Sequence, residues 1–167
     1  MAKKSVLAER LDEVRGKIAG ACARAKRDPK EVTLIAVTKT AGPEAIREIL
    51  SLGVSDLGES RVQQLMQRAS QINEGLARRR VHGDEGAPAP APRWHMIGHV
   101  QRNKVKQLIP LIHCVHSVDS LRLAEELDAA AAKLGRKLNV MMQLNASEEP
   151  QKFGVAIGAA THLGEQI

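Results

Sequence analysis

Residues Leu34–Thr40 read LIAVTKT, an apolar and β-branched run that ends on a lysine and a threonine. The run belongs to a longer segment, Val32–Thr38, whose continuous apolar character predicts a strand buried on both faces. Strands of this kind occur in parallel sheets whose faces are covered by other elements. The stretch therefore indicates an α/β fold, and it places the amine of Lys39 at the C-terminal end of a strand.

Helical and strand patterns alternate along the rest of the chain. A helical stripe of apolar residues over residues 5–27 precedes the first strand, and Gly42-Pro43 suits the start of the next helix. Four further strands are predicted at Val54–Glu59, Trp94–Ile97, Cys114–Val118 and Leu138–Leu144. Strict alternation predicts parallel strands joined by helical crossovers, in either a (β/α) barrel or an open doubly wound sheet.

The length of the chain limits how much of a barrel it can form. A complete eight-fold barrel takes about 250 residues, and this chain has 167. We expect one domain over residues 1–167, with a leading N-terminal helix and about five β/α units. Residues 82–92, HGDEGAPAPAP, have no hydrophobic periodicity and are predicted to form an exposed loop inserted in that domain.

Composition and charge argue against several classes of function. The net charge is +6, but acidic residues lie among the basic ones on the predicted helices, so we predict no nucleic-acid partner. No apolar run is long enough to span a bilayer, which predicts no membrane partner. Cys22 and Cys114 are far apart, without a CxxC spacing, and fit a reducing cytoplasm better than a disulfide scaffold.

Polar residues follow the ends of the predicted strands, where both architectures place their chemistry. Lys39 is the most informative of them, because a lysine amine is a nucleophile only when it is neutral and its usual pKa is about 10.4. Burial at the end of an apolar strand lowers that pKa and permits a Schiff base with an aldehyde. The alternative is a lysine whose side chain reaches from the strand end into solvent.

The sequence also contains residue types that occur in two other kinds of ligand site. The pair His95 and His99 and the run His113-Cys114-x-His116 contain the ligand types that zinc prefers. Neighbouring strand residues point to opposite faces, however, so His113 and Cys114 cannot both bind one ion from a regular strand, and we predict no metal site. Neither a G-x-G-x-x-G after a strand nor a G-x-x-x-x-G-K-[ST] motif occurs, which argues against a nucleotide-binding domain.

Five blocks of sequence occur in the order found in a known protein family. They are AVTKT, LGESRVQQL, RWHMIGHVQRNKVKQL, VHSVDSLRLAEEL and LNVMMQLNASEEPQKFGV. With these blocks the chain resembles the pyridoxal phosphate homeostasis protein family over roughly residues 5–155. That family is similar in turn to the N-terminal barrel of alanine racemase. The resemblance implies a fold of the (β/α)8 TIM-barrel type, here as an incomplete barrel.

The resemblance also implies a cofactor and the residues that hold it. It implies a cytoplasmic protein that holds pyridoxal 5′-phosphate (PLP) as a Schiff base on Lys39 and takes part in vitamin B6 homeostasis, with no catalytic residues. The other cofactor-binding residues that it implies are Ser60, His95, Asn103 and Lys152. Ser60 stands where the family has an asparagine, and it lacks the amide donor. The chain contains no tyrosine, so the second base of an alanine racemase is missing.

The chain ends at Ile167, whereas the resemblance implies further strands and, with them, the groups that hold the cofactor phosphate. We therefore expect a C-terminally truncated member of the family. An incomplete barrel leaves strand edges and lining residues uncovered, so we expect self-association through the exposed barrel edges. The alternative to a PLP-binding protein is a non-binding fragment or an interaction module without activity of its own.

Overall fold

A computed structural model of the chain describes residues 4–81 and 91–167. In these residues all five predicted strands are present and form one parallel sheet. The strands are β1 (Ala36–Val37), β2 (Asp56–Glu59), β3 (Arg93–Met96), β4 (Ile112–Val118) and β5 (Asn139–Met142). The loop predicted at residues 82–92 falls, over residues 82–90, outside the described part of the chain.

Strands that are neighbours in the sheet are also neighbours in the sequence, in the order β1-β2-β3-β4-β5. An open doubly wound sheet reverses its strand order at a switch point, and this sheet does not. Sequential parallel order is the arrangement of a (β/α) barrel. The prediction of an α/β fold with an incomplete TIM-barrel-type sheet is thus confirmed.

Six α-helices accompany the strands in the described residues. They are α1 (Val6–Ala25), α2 (Pro43–Ser51), α3 (Val62–Val81), α4 (Val105–Leu108), α5 (Leu121–Ala132) and α6 (Ala160–Gln166), with 3-10 turns at Pro29–Glu31, Arg102–Lys104 and Ile157–Ala159. The helices begin and end at residues that are typical of helix ends. At the start of α1, the hydroxyl oxygen of Ser5 accepts a hydrogen bond from the N–H of Ala8. Gly135, with a φ of 62°, lies just beyond α5. None of the helices in the described ranges is long and apolar enough to cross a membrane.

An apolar core lies between the helices and one face of the sheet. Leu57 of β2 and Met96 of β3 are fully buried there and pack in one cluster with Leu65 of α3. Successive strand residues point to opposite faces of a sheet. The residues between the core positions, among them Asp56 and His95, line a cavity of about 320 Å³ on the opposite face, which we call the inner face.

The first strand departs from its prediction. Only Ala36–Val37 has strand geometry, and Val37 is 50% exposed, so the prediction of a strand over Val32–Thr38 buried on both faces is wrong. The reason is its position, because within the described residues β1 pairs with β2 alone, at one edge of the sheet. An edge strand has neighbours on one side only, so one row of its backbone groups and part of its side-chain surface stay open.

The positions of Leu57 and Val37 predict different costs for truncating these two side chains. Leu57 is 0% exposed, so Leu57→Ala is expected to lower the free energy of unfolding by about 2–5 kcal/mol, through lost burial and the cavity left behind. Val37→Ala, at the exposed edge, is the matched control and should change that free energy by only about 0.5 kcal/mol. Urea denaturation followed by circular dichroism measures both. Equal costs for the two variants would contradict this placement of the core.

Candidate functional site

Lys39 lies directly after Thr38 at the end of β1, in the turn that leads to α2. Thr38 is buried, and its N–H donates to the carbonyl oxygen of Gly58 at 2.9 Å. Lys39 itself is exposed, so the prediction of an amine buried at the end of an apolar strand is wrong. Because β1 is an edge strand, its end opens to solvent, in agreement with the alternative of a lysine that reaches into solvent.

A buried ionic network holds the backbone around Lys39. Glu59, at the end of β2, is 0% exposed; it accepts a hydrogen bond from Thr38 Oγ1 at 2.5 Å and forms an ion pair with Arg68 of α3. Nη2 of Arg68 donates to the carbonyl oxygen of Lys39 at 3.4 Å and to that of Ala41 at 3.1 Å. The network thus connects the turn that carries Lys39 to a strand and a helix.

Thr38, Glu59 and Arg68 were not predicted from the sequence as site residues. The available signal was Glu59, a carboxylate in a strand whose four residues are all buried. A buried carboxylate needs a cation and further hydrogen bonds. Which cation supplies them depends on how α3 packs on the sheet, and the spacing of Glu59 and Arg68 in the sequence does not reveal that packing.

The turns after β2 and β3 touch at Ser60 and Gly98. A Cβ atom added to Gly98 would overlap the backbone carbonyl of Ser60, so this close approach requires glycine. Ser117 of β4 donates a hydrogen bond from its hydroxyl to the carbonyl oxygen of Gly98 at 2.6 Å. Ser60 comes directly after β2, at the C-terminal edge of the sheet. Lys39 follows the neighbouring strand β1.

Asn103 and Lys152 also follow strand ends, but further from Lys39. Asn103 is exposed in the 3-10 turn Arg102–Lys104 that comes after β3. Lys152 is exposed after β5, and its Nζ pairs with Glu149 at 2.5 Å. Lys39 and Lys152 follow the two opposite edge strands of the sheet, so three strands separate them in the strand order.

His99 connects the end of β3 with the segment after β5. Its ring stacks on Phe153, with 4.3 Å between the ring centroids. Its Nδ1 lies 3.2 Å from Oδ2 of Asp119, which follows β4. Side-chain contacts therefore hold the C-terminal edge of the sheet together from β3 to β5.

His95 lies within β3 on the inner face of the sheet. Its Nε2 lies 2.9 Å from Asp56 Oδ1, and its Nδ1 lies 2.9 Å from His116 Nε2. The guanidinium of Arg93 also bonds Asp56 and holds the pKa of that carboxyl below its usual range. Both ring nitrogens of His95 thus have protein partners, and the structure groups this residue with Asp56 and His116.

The chain is similar to known proteins over nearly its whole length. The chain matches the alanine racemase N-terminal domain family over residues 5–167. It is 34% identical over 162 residues to the pyridoxal phosphate homeostasis protein of Escherichia coli K12, which covers 96% of this chain. It is 33% identical over 147 residues to the protein of the same name from Aquifex aeolicus, which covers 88% of this chain. The chain spans 64% and 58% of the lengths of these two relatives.

Solved structures show the same likeness. A protein from Bifidobacterium adolescentis described as unknown has a TM-score of 0.79 and 32% identity, over 96% of this chain and 63% of that one. PipY of Synechococcus elongatus, solved with PLP bound, has a TM-score of 0.72 and 29% identity, over 95% of this chain and 63% of that one. The resemblance that the five sequence blocks indicated is confirmed. The chain belongs to the alanine racemase N-terminal domain family.

Proposed function

We propose that the chain binds PLP through Lys39 and takes part in intracellular vitamin B6 homeostasis without catalytic turnover. The observation that carries this proposal is an exposed primary amine on a turn held by Glu59 and Arg68. Support comes from its similarity to proteins named for pyridoxal phosphate homeostasis and to PipY, which was solved with PLP bound. The chain spans 64% of the Escherichia coli relative and 63% of PipY.

Lys39 would supply the covalent link to the cofactor. PLP carries an aldehyde, and a neutral lysine amine joins an aldehyde through a carbon–nitrogen double bond with release of one water. Exposure of Lys39 lets the aldehyde reach the amine without rearrangement of the core. The hydrogen bonds from Arg68 fix the backbone of the turn before the ligand arrives, which reduces the ordering cost of binding.

The residues beside Lys39 fit a polar ligand at this edge of the sheet. Oε2 of the buried Glu59 has no hydrogen-bond partner among the described residues. Such an unpartnered buried acceptor marks a place where a bound group or a water completes the network. We assign contacts with the cofactor to the hydroxyl of Ser60 and the amide of Asn103. Lys152 would add a positive charge for the phosphate. His95, which lies within β3 on the inner face, would support the site without contacting the cofactor directly.

We infer that the chain does not catalyse racemisation. The curated relatives are named for PLP homeostasis and not as racemases. The sequence has no tyrosine, so the tyrosine base of an alanine racemase has no counterpart here. The cytoplasmic location and the absence of a nucleic-acid partner stay predictions from composition and charge.

The two edge strands of the sheet favour self-association as a second function. Val37 on β1 is 50% exposed, and Met141 on β5 is 53% exposed. In the described ranges each of these strands pairs with one other strand only. Open strand edges are templates for pairing with another chain. We therefore propose self-association through these edges, either together with cofactor binding or, in a non-binding fragment, instead of it.

Lys39→Ala is expected to abolish covalent attachment of PLP, because the turn after β1 carries no other amine. The chain is incubated with one equivalent of PLP, reduced with borohydride, digested, and analysed by mass spectrometry to locate the modified lysine. Lys106→Ala removes an exposed lysine of α4 and is the matched control, with labelling at the wild-type level. Undiminished labelling of Lys39→Ala would refute the proposed link and favour the non-binding fragment.

Arg68→Leu leaves the buried carboxylate of Glu59 without its cation and should destabilise the fold by about 3–5 kcal/mol. Arg78→Leu, on the exposed surface of the same helix, is the control and should cost only about 0.5 kcal/mol. Neutralising both partners in Arg68→Leu/Glu59→Gln should recover part of the loss. Urea denaturation gives the free energies of unfolding. A loss for Arg68→Leu as small as that of Arg78→Leu would show that the pair does not hold the turn.

Met141→Lys is expected to reduce self-association, because a charged side chain on an edge strand opposes pairing with a second copy. Leu134→Lys places the same charge at a residue of similar exposure, 54%, just after α5, and serves as the control. Sedimentation velocity over a range of concentrations measures the oligomeric state. Equal association of wild type and Met141→Lys would argue against the edge of β5 as the contact.

A further inference from the structure

We propose that His95, Cys114 and His116 form a zinc site on the inner face of the sheet. The possible ligand atoms of these three residues all lie within 4.8 Å of one another. His95 and Cys114 are 5% exposed, and His116 is half-buried. The proposal concerns the inner face and does not rest on the function assigned to Lys39.

A register shift between β3 and β4 brings Cys114 to this face. Trp94 pairs with Ile112, but the next residue, His95, pairs with Cys114, so β4 contains one extra residue at His113. If the pairing were regular, His113 would stand opposite His95, and Cys114 would stand opposite Met96 and point toward the helices. His116, two residues after Cys114, points to the same side. Neighbouring strand residues such as His113 and Cys114 were not expected to bind one ion. Cys114 and His116 are two residues apart, so they can.

Asp56 orients His95 as a metal ligand. Asp56 also accepts a hydrogen bond from the guanidinium of Arg93, and as a carboxylate it can only accept the hydrogen bond from His95 Nε2. The proton then sits on Nε2, and the lone pair of Nδ1 points toward His116. A histidine that donates one N–H to a carboxylate and offers its other nitrogen is the usual arrangement at protein metal sites.

The three side chains are of the types that zinc prefers as ligands. Two imidazole nitrogens and one thiolate suit a borderline-soft ion such as Zn²⁺, whereas Mg²⁺ and Ca²⁺ prefer oxygen ligands. The thiol of Cys114 would release its proton to solvent when the metal binds, because the thiolate is the form that binds metal. The fourth position of a tetrahedral ion would open into the cavity of about 320 Å³, with room for a water.

The inner surface of a TIM-type barrel is ordinarily filled by branched apolar side chains. In this chain the corresponding region carries a carboxylate, an arginine, three histidines and a thiol, from Asp56, Arg93, His95, His113, Cys114 and His116. Buried polar groups cost free energy unless they have partners. His95 already has partners in Asp56 and His116, and an ion bound by Cys114, His95 and His116 would add a partner for the buried thiol.

The test uses the untagged chain, freed of metal with a chelator and then titrated with Zn²⁺ against a competing indicator. We expect one Zn²⁺ per chain, and near-complete loss of binding in Cys114→Ser and in His116→Gln. Cys22→Ser, which changes the other buried thiol, in α1, is the matched control and should keep the site. Asp56→Asn, which changes a positioning residue, should weaken zinc affinity by about 10- to 100-fold.

A second measurement on the wild-type chain does not depend on whether the variants fold. Zn²⁺ should slow alkylation of Cys114 by iodoacetamide and leave alkylation of Cys22 unchanged, as mapped by mass spectrometry. Co²⁺ in place of Zn²⁺ should add a thiolate charge-transfer band that Cys114→Ser lacks. Failure of the wild type to bind Zn²⁺, binding that persists in folded Cys114→Ser, or equal protection of both thiols would overturn the proposal.

Discussion

A parallel strand has two faces, and each must be covered for the sheet to be stable in water. In this chain the helices cover one face with a continuous apolar core that includes Leu57, Met96 and Leu65. The inner face carries Asp56 and His95, both buried, where a barrel ordinarily packs branched apolar side chains. Since buried polar groups need partners, the hydrogen bonds among these residues decide whether the inner face is stable.

The same constraint acts differently at the edge of the sheet. A two-residue strand such as β1 offers few backbone hydrogen bonds, so strand pairing alone holds the following turn weakly. Thr38, Glu59 and Arg68 supply the missing restraint through side chains, with the guanidinium reaching the carbonyl oxygen of Lys39. The backbone of the turn is therefore fixed, while Lys39 stays exposed. The role proposed for Lys39 requires both properties, because an amine that bonds a ligand must be accessible and the ligand must meet it in one place.

Much of this fold could be predicted from the sequence because it depends on local patterns. Alternating apolar runs and helical stripes located all five strands, and Gly135 marked the end of α5. Sequence could not show that β1 is short and exposed, because its burial depends on which neighbours it has in the sheet. It placed Lys39 at a strand end but could not find Arg68, whose role arises only where α3 meets β2. The single extra residue in β4, which turns Cys114 inward, likewise could not be predicted, because it depends on how this strand pairs with β3.

Strand β2 connects the two polar networks of the sheet. Asp56 and Glu59 are three residues apart, so the alternation of side chains sends them to opposite faces. Asp56 bonds His95 on the inner face, and Glu59 bonds Arg68 on the helix-covered face. Leu57 and Gly58 stand between them, and neither can pass a charge or a hydrogen bond from one side chain to the other. Among the described residues the ionic network beside Lys39 and the histidine cluster thus share a strand but no polar contact, so the two proposed ligands would bind independently of each other.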